Sequence, residues 1–223
     1  MPDVGEGTDT RGGAERAGSG ERAGGAERAG GARRAGGAAR FDRLGGLPVA
    51  AAALTVTVAV YMALVAFGNI TDFGTNQQFV RHVLAMDTTF KDEDLMWRAI
   101  ESHTVADLAY VAVIGWETLA ALVLLCSGWQ WARALTRRDP DPAAVARARR
   151  TGTLGLVMVL LLFGLGFLAI GGEWFAMWQS SEWNGLDAAA RNLTLAGIAL
   201  VVLWLPGVLP PERTGPAVAH DPR

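Results

Sequence analysis

The sequence lacks most of the residue patterns that identify an enzyme, a metal protein or a disulfide-bonded domain. It has one cysteine in 223 residues, so it can form neither an intramolecular disulfide nor a multi-cysteine metal site. Its 20 Lys and Arg oppose 22 Asp and Glu, and the formal net charge of -2 offers no basic field for nucleic acid. No GxSxG, phosphate-binding loop or strand-associated GxGxxG occurs. We therefore expect no cofactor and no nucleic-acid partner, and an enzyme is the less favoured class.

Large apolar side chains are almost absent from residues 1–46. A hexad repeat there, GAERAG at 13 and 25 with variants at 19 and 31, places two or three glycines in every six residues. Glycine costs ~1 kcal/mol relative to alanine in a helix. A segment with so little apolar surface also cannot offset the entropy of ordering. The sequence predicts a disordered N-terminal tail over 1–46, and a short polar C-terminal tail over 210–223.

Four long apolar runs lie between these tails. About 20 apolar residues in a helix span the ~30 Å hydrocarbon core of a bilayer. The predicted spans are about 47–67, 106–131, 151–178 and 193–209, of which the first and last carry no charge. The fold class predicted is an all-α membrane protein, a four-transmembrane-helix bundle over 47–209 with the lipid bilayer as its main environment.

Arginine is concentrated on one side of the predicted bundle. Arg40 and Arg43 precede the first span, and six arginines lie in the 132–150 segment between the second and third. Positive residues in short loops mark the cytoplasmic side. We therefore predict a multi-pass protein of the cell membrane with cytoplasmic N- and C-termini. The loops at 68–105 and 179–192 then face outward.

The 68–105 loop is too polar to enter lipid but is predicted to be partly helical. In NQQFVRHVLAM, Phe79, Val80, Val83 and Leu84 fall on one helical face, which predicts a short amphipathic helix. FKDEDLMWRAI, with acids first and Leu95, Met96 and Ile100 apolar, predicts a second short helix.

Glu117 lies near the midpoint of the second predicted span. A carboxylate in hydrocarbon costs ~2.5 to 3.5 kcal/mol on insertion scales, so it needs a partner or a function. One hypothesis makes Glu117 a protonatable station in a proton or cation path. The other makes it a polar clasp, hydrogen-bonded to Thr57 or Tyr61 of the first span. The sequence leaves both open.

The remaining candidate side chains lie outside the spans or at their ends. Glu173 falls close to the end of the third span, where we expect it to be solvated or loosely paired. His82 and His103 lie in connecting sequence rather than on facing spans, which argues against haem ligation. Neither forms a tight metal-ligand spacing with Asp87, so no metal site is predicted.

Several segments resemble a known family. FGNITDFGTNQQFVRHVLAMDTTF, LMWRAI, ETLAALVLLCSGW and GGEWFAMWQSSEWNG are similar, in this order, to the predicted small integral membrane proteins grouped as domain of unknown function 2165. The resemblance covers about 47–209 and implies a compact four-span protein without an established activity. It further implies that ten residues belong to the family pattern: Asp72, His82, Asp87, Trp97, Arg98, Glu117, Glu173, Trp174, Trp178 and Asn184.

Two functions from different classes fit these patterns. A non-enzymatic accessory or scaffold subunit would bind a membrane-protein partner, or a second copy, through the aromatic and polar 68–105 loop. An oligomeric proton- or cation-linked transporter or channel would use Glu117. A lipid- or quinone-modifying enzyme ranks third, because the sequence offers no nucleophile and base to assign.

Overall fold

The computed structural model describes residues 46–137 and 141–208. Over these residues all regular structure is helical. Four helices are long and apolar enough to cross a membrane, which confirms the predicted fold class. The predicted disordered N-terminal tail, apart from Gly46, and the polar C-terminal tail lie outside the described residues.

The four long helices are longer than the spans that predict them, although the third ends at Trp174 rather than at 178 and the fourth at Trp204 rather than at 209. Helix α1 covers Leu47–Thr71, α2 Phe73–Ala85 and α3 His103–Thr136; α4 covers Pro142–Leu160 and continues as a π-helix over Leu161–Trp174; α5 covers Leu186–Trp204. The predicted arginine-rich loop is therefore mostly helix: Arg147, Arg149 and Arg150 lie in α4. Apolar runs mark only the part of each helix that faces lipid, so they underestimate its length.

Local sequence fixes several helix ends. The Ser102 hydroxyl accepts a hydrogen bond from the Val105 amide at the start of α3. The Asp141 carboxylate accepts from the Ala143 amide at the start of α4, and Pro142 occupies the first turn. Side-chain acceptors at this position satisfy amides that have no partner within the helix.

The four long helices form a closed ring, in which α1 contacts α3, α3 contacts α4, α4 contacts α5, and α5 contacts α1. Small residues allow the close approach. A Cβ added at Gly155 would lie 2.6 Å from Leu124 Cγ. The buried Ser127 hydroxyl of α3 donates across the same interface to the Ala148 carbonyl, at 2.8 Å. Small residues and interhelical hydrogen bonds of this kind are typical of membrane bundles.

The surface of the bundle is apolar. Leu64, Leu108 and Val201 are each about two-thirds exposed and lie on three different helices. Exposed apolar area of this extent is unfavourable in water and favourable in hydrocarbon. The exterior therefore fits a bilayer.

The π-helical half of α4 changes the hydrogen-bond pattern from Leu161 onward. The Phe175 amide donates to the Ile170 carbonyl at 3.0 Å, five residues back. At the transition, the Trp116 indole of α3 donates to the Met158 carbonyl at 2.9 Å. The Leu161 amide donates to the same carbonyl, so the indole adds a hydrogen bond between helices at the transition.

Of the two short helices predicted in the 68–105 loop, the structure contains one. The amphipathic helix is confirmed as α2. The second is wrong: only a 3₁₀ turn forms, over Met96–Arg98. Asp92 explains the difference, because its carbonyl and its carboxylate accept from the following amides and close a tight turn. The chain then returns to α2, where the Ile100 amide donates to the Leu84 carbonyl at 2.7 Å.

Candidate functional site

Two loops join at one end of the bundle. We call the region made by residues 72–102 and 174–185 the cap; its second segment starts at Trp174, the last residue of the π-helix. The Thr88 and Ser180 hydroxyls lie 2.8 Å apart, and the Phe90 amide donates to the Gln179 side chain at 2.9 Å. These contacts connect segments that are far apart in the sequence. The cap is consequently a folded unit rather than a pair of independent loops.

His82 lies at the centre of one set of cap contacts. Its Nδ1 is 2.7 Å from Asp87 Oδ2, and its ring stacks on Trp183 with centroids 4.7 Å apart and planes 12° apart. Phe79 contacts the same indole from α2. The His82–Asp87 pair of the first loop therefore packs against Trp183 of the second loop. Over the described residues, no group of three or more potential ligands is placed to hold a metal ion.

Arg98 lies between two indole rings. Its guanidinium carbon is 4.9 Å from the Trp174 ring centre and 5.6 Å from that of Trp97, within cation–π range. Its Nη1 also lies 3.5 Å from the Trp174 carbonyl. The two indoles themselves meet edge to face, at 5.6 Å and 86°. Arg98 therefore fixes the 3₁₀ turn against the end of α4.

Two aromatic pairs leave much of their surface exposed. Trp97 is 70% exposed beside Trp174, and Phe90 is 73% exposed beside Trp178, with an edge-to-face distance of 5.9 Å in the second pair. We call these four residues the aromatic pairs of the cap. Each pair joins the first loop to the second. The sequence resemblance names Trp97, Trp174 and Trp178, but only the tertiary structure brings them together.

Glu117 is the end of a chain of polar contacts. Its side chain is 2% exposed. Asn69 Nδ2 donates to Glu117 Oε2 at 2.6 Å, and Asn76 Nδ2 donates to Asn69 Oδ1 at 2.7 Å. The buried Tyr110 hydroxyl donates to the Asn69 carbonyl at 3.2 Å. A continuous set of hydrogen bonds therefore runs from exposed Asn76 on α2, through α1, to the carboxylate on α3.

The predicted partners of Glu117 require correction. Thr57 is exposed and donates to the Ala53 carbonyl of its own helix. Tyr61 packs against the apolar core rather than against the carboxylate. Asn69 takes their place because Glu117 lies level with the last turn of α1, not with its middle. The carboxylate is thus nearer to the cap than the midpoint of the predicted span suggested.

A bidentate ion pair connects the cap to the start of α3. Arg81 Nε and Nη2 donate to the two Asp107 oxygens at 2.8 and 2.7 Å. This contact raises the pKa of the Arg81 guanidinium above its ordinary value. The planar fork of arginine matches a carboxylate, so the pair fixes the direction of α2 as well as its distance from α3.

The other predicted site residues lie apart from this chain. Asp72 precedes α2, and its Oδ1 accepts from the Thr75 hydroxyl. Asn184 precedes α5, and its Oδ1 accepts from the Leu186 amide. Glu173 is exposed, as expected for an acid at the end of its span. These positions begin or end helices and do not converge with Glu117 or His82.

The sequence hypotheses missed Asn69 as a site residue. A usable signal existed, because the buried residues Val58, Met62 and Ala66 of α1 follow helical spacing, and the next position on that face is Asn69. The first predicted span ends at Phe67, which leaves this polar position in the following loop.

Comparison with known proteins identifies a family. A family model described as predicted small integral membrane protein (DUF2165) matches residues 47–206. No curated protein and no solved structure matches the chain.

Proposed function

We propose that this chain, which belongs to the DUF2165 family of predicted small integral membrane proteins, is a non-enzymatic accessory or scaffold subunit of the cytoplasmic membrane. Its cap binds a membrane-protein partner through the aromatic pairs. The observation that carries this proposal is the pairing of exposed aromatic rings across the two loops, with Arg98 held between Trp97 and Trp174.

The chemistry of these pairs suits a binding surface. Trp and Arg are enriched among the residues that dominate binding energy at interfaces. The large rigid ring of tryptophan also loses little conformational entropy when it binds. Here each exposed ring already has a ring from the other loop at its edge. The Thr88–Ser180 contact further restricts the loops. A preformed surface of this kind loses less conformational entropy on binding than flexible loops do.

The test replaces Trp97 by alanine and compares it with Trp129→Ala. Trp129 is a matched control, because it is 65% exposed and has Arg133 5.9 Å from its ring, but lies in the second half of α3, away from the cap. Each protein is purified in a mild detergent, and stoichiometric co-purifying proteins are quantified. An interfacial tryptophan contributes ~2 kcal/mol or more, so Trp97→Ala should weaken recovery of the partner by about 30-fold, with Trp129→Ala unchanged.

Two results would contradict this function. Recovery of the protein alone, from membranes cross-linked before extraction, would show that it has no stable partner. Equal loss of a partner in Trp97→Ala and Trp129→Ala would place the interface on the lipid-facing surface. Co-purification of two differently tagged copies identifies the case in which the partner is a second molecule of this chain.

The cytoplasmic location of both termini belongs to the same proposal. Support comes from the arginines, since Arg133 and Arg137 at the end of α3 and Arg147 in α4 lie on either side of one short connection. The positive-inside rule assigns that connection to the cytoplasm. The cap at the other ends of these helices then faces outward, where an extracytoplasmic partner can reach it.

A second candidate function is supported by the polar chain from Asn76 to Glu117. An oligomeric proton- or cation-linked transporter could use these groups as the outer half of a path, with Glu117 as the protonatable station. In reconstituted vesicles, Glu117→Gln should abolish a pH-driven proton or cation flux, while Glu173→Gln, at an exposed acid, should retain it. Absence of any Glu117-dependent flux would remove this candidate.

A further inference from the structure

Asn192 is a buried polar residue that neither candidate function uses. It lies in the membrane-spanning helix α5 and is 6% exposed. Within the described residues, its side-chain amide makes no hydrogen bond. The other buried polar side chains there each make one: Thr55, Glu117, Ser127 and Ser180. An unpaired polar group inside a membrane bundle is destabilising, so its presence points to a binding role.

Glu117 and Asn192 lie at the same height in the bundle. A Cβ added at Gly152 of α4 would lie 2.9 Å from Ser127 Oγ of α3 and 3.4 Å from Leu203 Cδ2 of α5. These residues therefore mark one level on three helices. Counted toward the cap, Glu117 is 10 residues from Ser127 along α3. Asn192 is 11 residues from Leu203 along α5. At the helical rise per residue, both lie roughly 15 to 17 Å above that level.

Both side chains face the interior of the ring. Glu117 lies on the buried face of α3 with Tyr110 and Leu124, each seven residues away. Asn192 lies on the buried face of α5 with Ala199, also seven residues away. Helices α3 and α5 are opposite each other, because each of them contacts both α1 and α4. The two polar side chains therefore point toward each other across the centre of the bundle.

Alanine side chains surround the two polar groups. Ala66 of α1 lies at their height, since it is 11 residues from Thr55, whose Cγ2 is 3.5 Å from the Cβ position at Gly152. Ala120 of α3 and Ala196 of α5 lie one turn further into the bundle. All three alanines are buried. Short side chains on three helices leave room for a small ligand beside the polar groups.

We propose that Glu117 and Asn192 bind one water molecule between them. Glu117 Oε2 accepts from Asn69, but Oε1 has no partner within the described residues. The water donates to this Oε1 and accepts from Asn192 Nδ2. Buried water binds where two to four otherwise unpaired polar groups meet, as they do here. The site depends on neither candidate function, because it only adds α5 to the helices that Asn69 and Glu117 already join.

Proton-detected solid-state NMR of the full chain in lipid bilayers tests for the water directly. With ¹⁵N-labelled asparagine, Asn192→Leu identifies the signal of this side chain. The Asn192 amide protons should show a cross-peak to water that disappears in Glu117→Leu. It should remain in Glu173→Leu, because Glu173 is an exposed acid away from the site. A missing cross-peak, or one that remains in Glu117→Leu, would overturn the water site.

The stability of Asn192→Leu gives a second test. This change leaves Glu117 Oε1 without its water, so it should raise the unfolding equilibrium constant in bicelles about fivefold. An amide that binds nothing predicts the opposite sign, because removing an unpaired buried group stabilises the fold. Thr194→Val is the matched control, since Thr194 is exposed on α5 and donates only to the Ala190 carbonyl of its own helix. It should change the constant by less than about twofold.

A pair of smaller substitutions separates water binding from packing. Asn192→Ser keeps a hydroxyl for the water, and Asn192→Ala, of similar volume, does not. The unfolding constant of Asn192→Ala should be about fivefold higher than that of Asn192→Ser, and the difference should vanish in the Glu117→Leu background. Equal constants for the two variants, or a difference that persists without Glu117, would refute the shared site. A lower constant for Asn192→Leu than for the wild type leads to the same conclusion.

Discussion

Replacing Glu117 by glutamine and by leucine distinguishes a clasp between helices from a protonatable station. In a clasp, the main contribution is the hydrogen bond from Asn69 Nδ2 at 2.6 Å, which joins α1 to α3. Glutamine keeps an oxygen acceptor at this place, and leucine does not. In a station, loss of a buried polar group leaves stability equal or higher in both variants, and only the flux disappears.

The structure sets the expected magnitudes. Interhelical hydrogen bonds in membranes contribute ~0.6 kcal/mol on average and up to ~1.7 kcal/mol. The Asn69 contact is short and its acceptor is 2% exposed, so Glu117→Leu should lower the free energy of unfolding by about 1 kcal/mol. A neutral acceptor binds roughly half as strongly as a carboxylate, so Glu117→Gln should cost about 0.5 kcal/mol.

A double-mutant cycle with Asn69→Leu isolates the contact. Free energies of unfolding are measured in bicelles or mixed micelles for the wild type, both single variants and the double variant. A coupling energy of about 1 kcal/mol is expected, since Asn69 and Glu117 bind each other directly. Glu173→Leu is the control, because this exposed acid should change stability by less than about 0.5 kcal/mol.

Additivity of the two single changes to within about 0.3 kcal/mol would refute the clasp. The same conclusion follows if Glu117→Leu is more stable than the wild type. Equal stability of all variants together with a lost pH-dependent flux would favour the station and the transport function.

Further predictions concern topology, the tail and packing. In a background without the native cysteine, a cysteine at Thr75 should react with an impermeant reagent from outside and one at Ala143 should not; the reverse pattern would invert the topology. Deletion of 2–38 should leave membrane accumulation unchanged on immunoblots, because the repeat has no apolar face to pack; loss of accumulation would contradict this. Gly155→Ala should destabilise the bundle by about 1–3 kcal/mol through overpacking, whereas Gly115→Ala, in open space, should not, as compared by thermal unfolding.

Only part of the site around Glu117 can be predicted from the sequence, because apolar runs alone locate the spans. Such runs report contact with lipid, and they end where a helix leaves the hydrocarbon or meets another helix. Helix α1 continues past Phe67 to Thr71, and α3 begins at His103. A difference of one turn at each end moves the level at which two helices meet. For that reason the apolar runs predict Thr57 or Tyr61, rather than Asn69, as the partner of Glu117.

Hydrogen bonds within a turn explain why the second short helix predicted in the 68–105 loop does not form. The acids and apolar residues around Asp92 have helical spacing, but the Asp92 side chain accepts from the Asp94 amide and closes a turn. The Ile100 amide then binds the Leu84 carbonyl, a contact between residues of different elements. Spacing alone does not reveal such competition.

The sequence by itself determined the all-helical class, the four spans and the amphipathic α2, because burial in lipid imposes length and composition on each segment separately. Only the tertiary structure decided which segments meet: Asn69 with Glu117, Trp97 with Trp174, and Thr88 with Ser180. These contacts depend on the relative heights and rotations of packed helices. Such quantities follow from packing between elements, which no single segment encodes.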